Sequence, residues 1–186
     1  MRRIILLITI GLILFTGTAN AQLEIGGSYE LRNEDPKNGF GLRIQKGILG
    51  SVPVVDLGIR LHASFFSEEF DRDNLGQDYS IEYTNYDVGV AGYGGVSLGL
   101  IQPYAGIGIG TENYEAVVNN YSVSGDLNPE GDESNLYWNL FTGAKVTVIP
   151  MVKPFVEYRY SNKELSSPTL ADAQSGRIMF GVLLSF

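Results

Sequence analysis

The sequence has no cysteine, one histidine, one tryptophan and few charges, 18% of its residues. The missing cysteines exclude a disulfide framework, a thiolate metal site, a cysteine nucleophile and a lipidated cysteine anchor. Imidazole chemistry is confined to His62. Bases are scarce, 13 against 21 acids, so the net charge is −8 and no basic face is available for nucleic acid. Long apolar runs are scarce too. Ile4 to Phe15 is the longest, 12 residues, short of the about 20 a spanning helix needs. What is abundant is glycine, 23 residues, and Phe plus Tyr, 9 and 11. Apolar residues make up 44%, enough for a folded domain and too many for a disordered or collagen-like chain.

The apolar run follows Arg2 and Arg3 and precedes Ala19-Asn20-Ala21. Charged start, apolar stretch and A-x-A site together read as a cleaved secretory signal, residues 1–21. The mature domain, 22–186, is then expected to start at Gln22 with 165 residues and a net charge of −10, since Arg2 and Arg3 are lost.

Three prolines, Pro53, Pro103 and Pro154, head similar segments at spacings of 50 and 51 residues. Each segment alternates apolar and polar residues, the period of a strand with unlike faces. Val55, Leu57 and Ile59 alternate with Asp56, Gly58 and Arg60. Ala105, Ile107 and Ile109 alternate with Gly106, Gly108 and Gly110, and Val156, Tyr158 and Tyr160 with Glu157, Arg159 and Ser161. Proline donates no ladder hydrogen bond, so each is expected as its strand's first residue. Similar alternation over 23–32, 40–49, 84–97, 136–149 and 176–186 brings the expected strands to eight. Short connections near 50–51, 99–100 and 150–151 alternate with long polar ones near 33–38, 67–80, 115–135 and 163–175. This predicts an all-β fold, an eight-stranded antiparallel up-and-down transmembrane β-barrel.

The polar faces carry Glu24, Glu30, Asp56, Asp87 and Glu157 against Arg32, Arg43, Arg60, Lys145, Arg159 and Arg177. Near-balance of sign suits a closed interior in which opposite charges pair, and the bases facing lipid at mid-depth would each cost roughly 2–4 kcal/mol. Lys46 falls on the apolar face, near a short turn, where its stem can reach the interface. Aromatics gather toward strand ends. Tyr29, Phe40, Phe65, Phe66, Tyr86, Tyr114, Tyr137, Trp138 and Tyr160 lie toward the long loops, and Tyr104, Phe155 and Phe186 toward the short turns. They are expected to form two interfacial belts. Gly106, Gly108 and Gly110 precede no helix and so form no phosphate loop; on the inner face they leave room for Lys145, Phe141 or Arg159.

On these features the chain resembles the small eight-stranded outer-membrane barrels, the OmpA/OmpX-like family. Its end is similar to that family's C-terminal assembly signal through Gly181, Leu184 and Phe186, with Met179 departing at a position that is usually polar. The resemblance implies export, insertion by the barrel-assembly machinery and an outer membrane rich in lipopolysaccharide as surroundings; with the sequence stopping at the barrel's last residue, the peptidoglycan-binding domain of full-length OmpA-type proteins is expected to be lacking.

No catalytic, cofactor-binding or metal-ligating residue is assigned. His62 and Ser64 look like part of the H-x-S motif of outer-membrane lipid A deacylases, in which a histidine activates a serine. Phe65 stands where that family usually has asparagine, and the pair falls on the inner face. Asp71, Asp73, Gly76 and Glu82 partly match a twelve-residue calcium loop, although Leu75 occupies an oxygen-donor position. The long loops hold fifteen acids, from Glu34 to Asp172 and including Glu112, against Lys37, Arg72 and Lys163, a balance of −12. That surface suits divalent cations bridging to lipopolysaccharide, a basic surface partner, or simple solvation. The leading expectation is a non-enzymatic outer-membrane barrel, filled inside, acting in envelope integrity, adhesion or surface interaction. A lipid-active enzyme using His62 and Ser64, a soluble lipocalin-like ligand carrier and a narrow gated pore stay open as alternatives.

Overall fold

A computed structural model describes residues 23–48, 55–74, 77–119, 131–149, 151–164 and 174–186. The expected signal segment, Pro53 and the tips of the two later long loops lie outside the described residues. Eight strands follow in chain order: β1 (Leu23–Arg32), β2 (Asn38–Gly47), β3 (Val55–Asn74), β4 (Gln77–Val96), β5 (Ile101–Asn119), β6 (Gly131–Val146), β7 (Val152–Glu164) and β8 (Gln174–Ser185). Each pairs antiparallel with the next, and β8 closes on β1, so the sheet is a barrel without edges.

Alternation decides which way each side chain points. Glu24, Arg43, Arg60, Asp87, Glu112, Lys145, Glu157, Arg159 and Arg177 are buried inside. Ile25, Ile44, Leu61, Val90 and Ile109 form one cross-strand row on the outside. Polar residues therefore fill the interior and apolar ones coat the exterior, the arrangement expected for lipid surroundings. This orientation overturns the lipocalin-like alternative, which needs the apolar faces inside. Lys46 stands on the outward parity of β2 and is half-buried.

Four expectations need correcting. The two described prolines are not first residues: Pro103 and Pro154 are third in β5 and β7. Each pairs on one side alone, Pro103 with Ala144 and Pro154 with Val182, while the other ladder starts one residue later, at Tyr104 and Phe155. The missing N–H thus falls where no ladder needs it. Second, the segment 67–80 is not a long loop. β3 and β4 run as a paired ribbon from Val55↔Val96 to Asn74↔Gln77. At 20 residues each they are about twice the 9–11 needed to cross a bilayer, so the ribbon continues past it. Third, the partial calcium loop falls on this ribbon, with Asp71↔Ser80 and Asp73↔Asp78 paired as strand backbone, while its Leu75 and Gly76 lie outside the described residues. Among the described residues no cluster of three or more acids or histidines is placed to hold a metal.

The fourth correction concerns aromatics. Phe66, Tyr104, Tyr114, Tyr137 and Phe155 point inward and are buried. Four of the others, Tyr29, Phe40, Phe65 and Tyr86, do form an exposed outer row, joined by Phe180, in register across β8 and β1 to β4. Inward rings need space, and glycines provide it. Phe141 lies over Gly106 and the Tyr137 hydroxyl over Gly110, so a Cβ at either glycine would collide with the ring above it. Tyr104 over Gly143 and Phe155 over Gly181 repeat the device.

Candidate functional site

Among the described residues, chemistry-bearing side chains converge in the barrel interior, which is built in three tiers. At the short-turn end Glu24 holds Lys153 at 2.6 Å and Lys145 at 3.1 Å, and accepts a short hydrogen bond from Gln45. Lys145 also reaches Asp56 at 3.6 Å, and Gln102 donates to Asp56 at 3.0 Å.

The central tier is organised by Glu157. Arg60 lies 2.6 Å from it, Arg43 2.9 Å and Arg159 3.1 Å, and the Tyr104 hydroxyl donates at 3.0 Å. Arg43 also stacks on Phe155, 4.0 Å from the ring centre, and Arg60 on Phe141 at 4.5 Å. Such stacking desolvates guanidinium groups with less loss than an aliphatic wall. Met179 belongs here. Its thioether accepts from Arg43 at 3.1 Å, and it packs with Phe155 and Leu183, which accounts for an apolar residue in an otherwise polar position.

Toward the long loops Arg177 bonds Asp87 at 2.6 Å and Glu30 at 3.3 Å. Glu112 is held by Lys163 at 2.9 Å and Arg32 at 3.2 Å, and Lys163 reaches Glu34 at 2.7 Å. Arg32 caps this tier over the Phe66 ring at 4.1 Å. Glu34, Glu112 and Lys163, expected on the acidic outer surface, are thus interior residues. Their parity in the extended strands, and for Glu34 the fold-back after β1, turns them in.

His62 and Ser64 do share the inward face of β3, as expected, but they do not assemble a nucleophile. His62 is 5% exposed, and its Nε2 lies 2.8 Å from the Tyr137 hydroxyl, which donates to Asp87 at 3.3 Å. With the phenol proton given to Asp87, Nε2 is the donor to the phenol oxygen. The Ser64 hydroxyl is buried and has no hydrogen-bond partner among the described residues. Activation of a serine needs a base within hydrogen-bond reach, and this histidine is committed elsewhere. Ester-bearing lipid would also have to cross the barrel wall to arrive.

The interior is closed as well as paired. Arg60, Phe66, Met179 and Asp87 are completely buried, and Arg159, Lys145 and Tyr114 nearly so. An eight-stranded barrel is just wide enough for side chains to fill it. The fold and its interior define a class: a closed eight-stranded barrel, charged and filled within, apolar without.

Comparison with known proteins agrees at the level of fold. No family model matches the chain, and no curated protein matches it. Solved structures do. The chain is similar to Neisserial surface protein A, with 15% identity over 91% of this chain and 99% of that one and a TM-score of 0.54. It is similar to a major outer membrane protein from Thermus thermophilus, with 12% identity, 90% and 100% coverage and a TM-score of 0.67. It is also similar to Ail, the attachment invasion locus protein of Yersinia pestis, solved with the heparin analogue sucrose octasulfate, at 16% identity, 89% and 97% coverage and a TM-score of 0.54. The fold is that of the small eight-stranded outer-membrane barrels.

Proposed function

We propose that this is an integral, non-enzymatic protein of the outer membrane of a Gram-negative bacterium, acting at its long-loop end in surface interaction, adhesion or envelope integrity. The observation that carries the reading is the closed, charge-paired interior. Buried side chains fill the path a solute would take, and His62 is bonded to Tyr137 rather than to Ser64, which favours a role at the loops over the pore and enzyme alternatives. What remains available is the apolar belt, which meets outer-membrane lipid and lipopolysaccharide, and the surface beyond it. The ribbon of β3 and β4 extends that surface outward. Ail, the attachment invasion locus protein, shares the fold, which supports the adhesive reading. The acidic loops of this chain favour a cationic partner, or divalent cations bridging to lipopolysaccharide phosphates, over a sulfated glycan. Assembly would use the barrel-assembly machinery, as the C-terminal strand implies.

The test is complementation of a deletion strain with three forms: wild type, His62→Ala, and a barrel whose residues 69–82 are replaced by Asn-Gly, a two-residue hairpin turn. Lipid A acylation should be the same in wild type and His62→Ala. Attachment to cationic surfaces and detergent resistance should fall in the trimmed barrel while it still folds. A change of acylation with His62→Ala would restore the enzyme reading. A trimmed barrel with undiminished attachment and detergent resistance would remove the role assigned to the ribbon.

A further inference from the structure

The three interior tiers do not carry matching charge. In the short-turn tier Glu24 and Asp56 cancel Lys145 and Lys153. Near the long loops Glu30, Glu34, Asp87 and Glu112 exceed Arg32, Lys163 and Arg177 by one. In the centre one carboxylate, Glu157, serves three guanidiniums, Arg43, Arg60 and Arg159. The centre is therefore in surplus by two positive charges. The negative surplus above covers one of them and leaves one uncovered. In a closed interior an uncovered charge is expensive.

The hydrogen-bond inventory falls in the same place. Arg159, 1% exposed, has its Nε and Nη1 unpartnered among the described residues, and Arg60, fully buried, its Nη2. Beside Arg159 runs a row of small polar groups. Asn139, Ser161 and Ser175 are direct cross-strand partners on β6, β7 and β8, all buried, and the side-chain polar atoms of all three are unpartnered among the described residues. Ser161 is two residues from Arg159 on the same inward face. Directly paired side chains stand about 5 Å apart, close enough to converge on one small ligand. On the opposite side the row continues from Asn139 through Gly108 and Ala91 to Arg60. Those two small residues put no long side chain between Asn139 and Arg60, while the Phe141 ring, two residues along β6, lies 4.5 Å from the Arg60 guanidinium and 5.9 Å from that of Arg159. The unpartnered groups are mostly donors. Water would satisfy their hydrogen bonds and leave the charge uncovered; an anion does both.

We propose that the centre of the barrel is a binding site for one small monovalent anion of the halide type, held by Arg159 with Asn139 and Ser161 and facing Arg60. The anion acts as a strut, joining β3 to the wall of β6 and β7.

The test uses the protein purified from membranes in detergent. Crystals free of chloride are soaked in sodium bromide, and diffraction is recorded at the bromine edge. An anomalous peak within hydrogen-bond reach of Arg159 and Asn139 is expected, and none in Arg159→Gln. In parallel, urea unfolding is followed by gel mobility in sodium chloride, bromide or gluconate at one ionic strength. With halide at about a hundred times its Kd, the wild-type midpoint should lie roughly 1 M higher than in gluconate. The shift should vanish in Arg159→Gln. Ser161→Ala, which keeps every charge and so guards against a variant that fails to fold, should lose part of it. Water density without an anomalous peak, together with equal midpoints in halide and gluconate, would overturn the proposal. So would a halide shift of the same size in Ser161→Ala and Arg159→Gln as in wild type.

Discussion

Arg60 and Leu61 are adjacent in β3 and live in different solvents. Arg60 is completely buried, bonded to Glu157 and stacked on Phe141. Leu61 is 43% exposed, between Ile44 and Val90 in the middle of the apolar belt. The contrast repeats along every strand. It shows that here the usual rule is inverted: the inside is held by ion pairs and hydrogen bonds, and the outside is the surface that lipid covers. Each face is unsuited to the other's surroundings, so a one-residue slip of register would be ruinous.

The comparison can be broken most severely from the inside. Glu157→Gln leaves three guanidiniums in a closed interior without their carboxylate. Breaking such a buried arrangement costs about 3–5 kcal/mol, read as a fall in the urea midpoint of the folded, fast-migrating band. From the outside, Leu61→Arg places a cation in the apolar belt and should cost about 2–4 kcal/mol, whereas Leu61→Phe should fold like wild type. Glu24→Gln sharpens the inner half of the comparison. Lys145 keeps Asp56 as partner, and this tier lies by the short-turn mouth, so the loss should be about 1–3 kcal/mol, below that of Glu157→Gln. At the far end of the scale, Lys37 and Asp35 are both about half exposed, and Lys37→Ala should change stability by less than about 1 kcal/mol. Equal costs for Glu157→Gln and Lys37→Ala would mean that the interior pairs do not hold the barrel.

Strand number, strand order and the direction of each face were legible from period-two alternation, because lipid and interior demand opposite residues. The length of β3, β4 and β5 was not. Past Ser67 and before Ser80 the sequence is polar at odd and even positions alike, so alternation fades although pairing continues. The inward aromatics were misassigned for a different reason. Phe66 shares parity with Arg60, His62 and Ser64, and Tyr137 with Asn139, so parity already marked them as interior; residue type pointed to a belt instead. Their polar tips also find partners inside, as the Tyr104 and Tyr137 hydroxyls do. The charged members of the site were readable as a set, but not their pairing. Arg43 and Glu157 are 114 positions apart and meet only through the stagger of a closed barrel.

The central claim, a closed barrel embedded in the outer membrane with its apolar face to lipid, is tested most directly by heat modifiability. The full chain is expressed in a Gram-negative host, outer membranes are isolated, and boiled and unboiled samples are compared on a denaturing gel. The expected result is a band in the outer-membrane fraction whose mobility changes on boiling. A soluble periplasmic protein with one mobility under both treatments would contradict it.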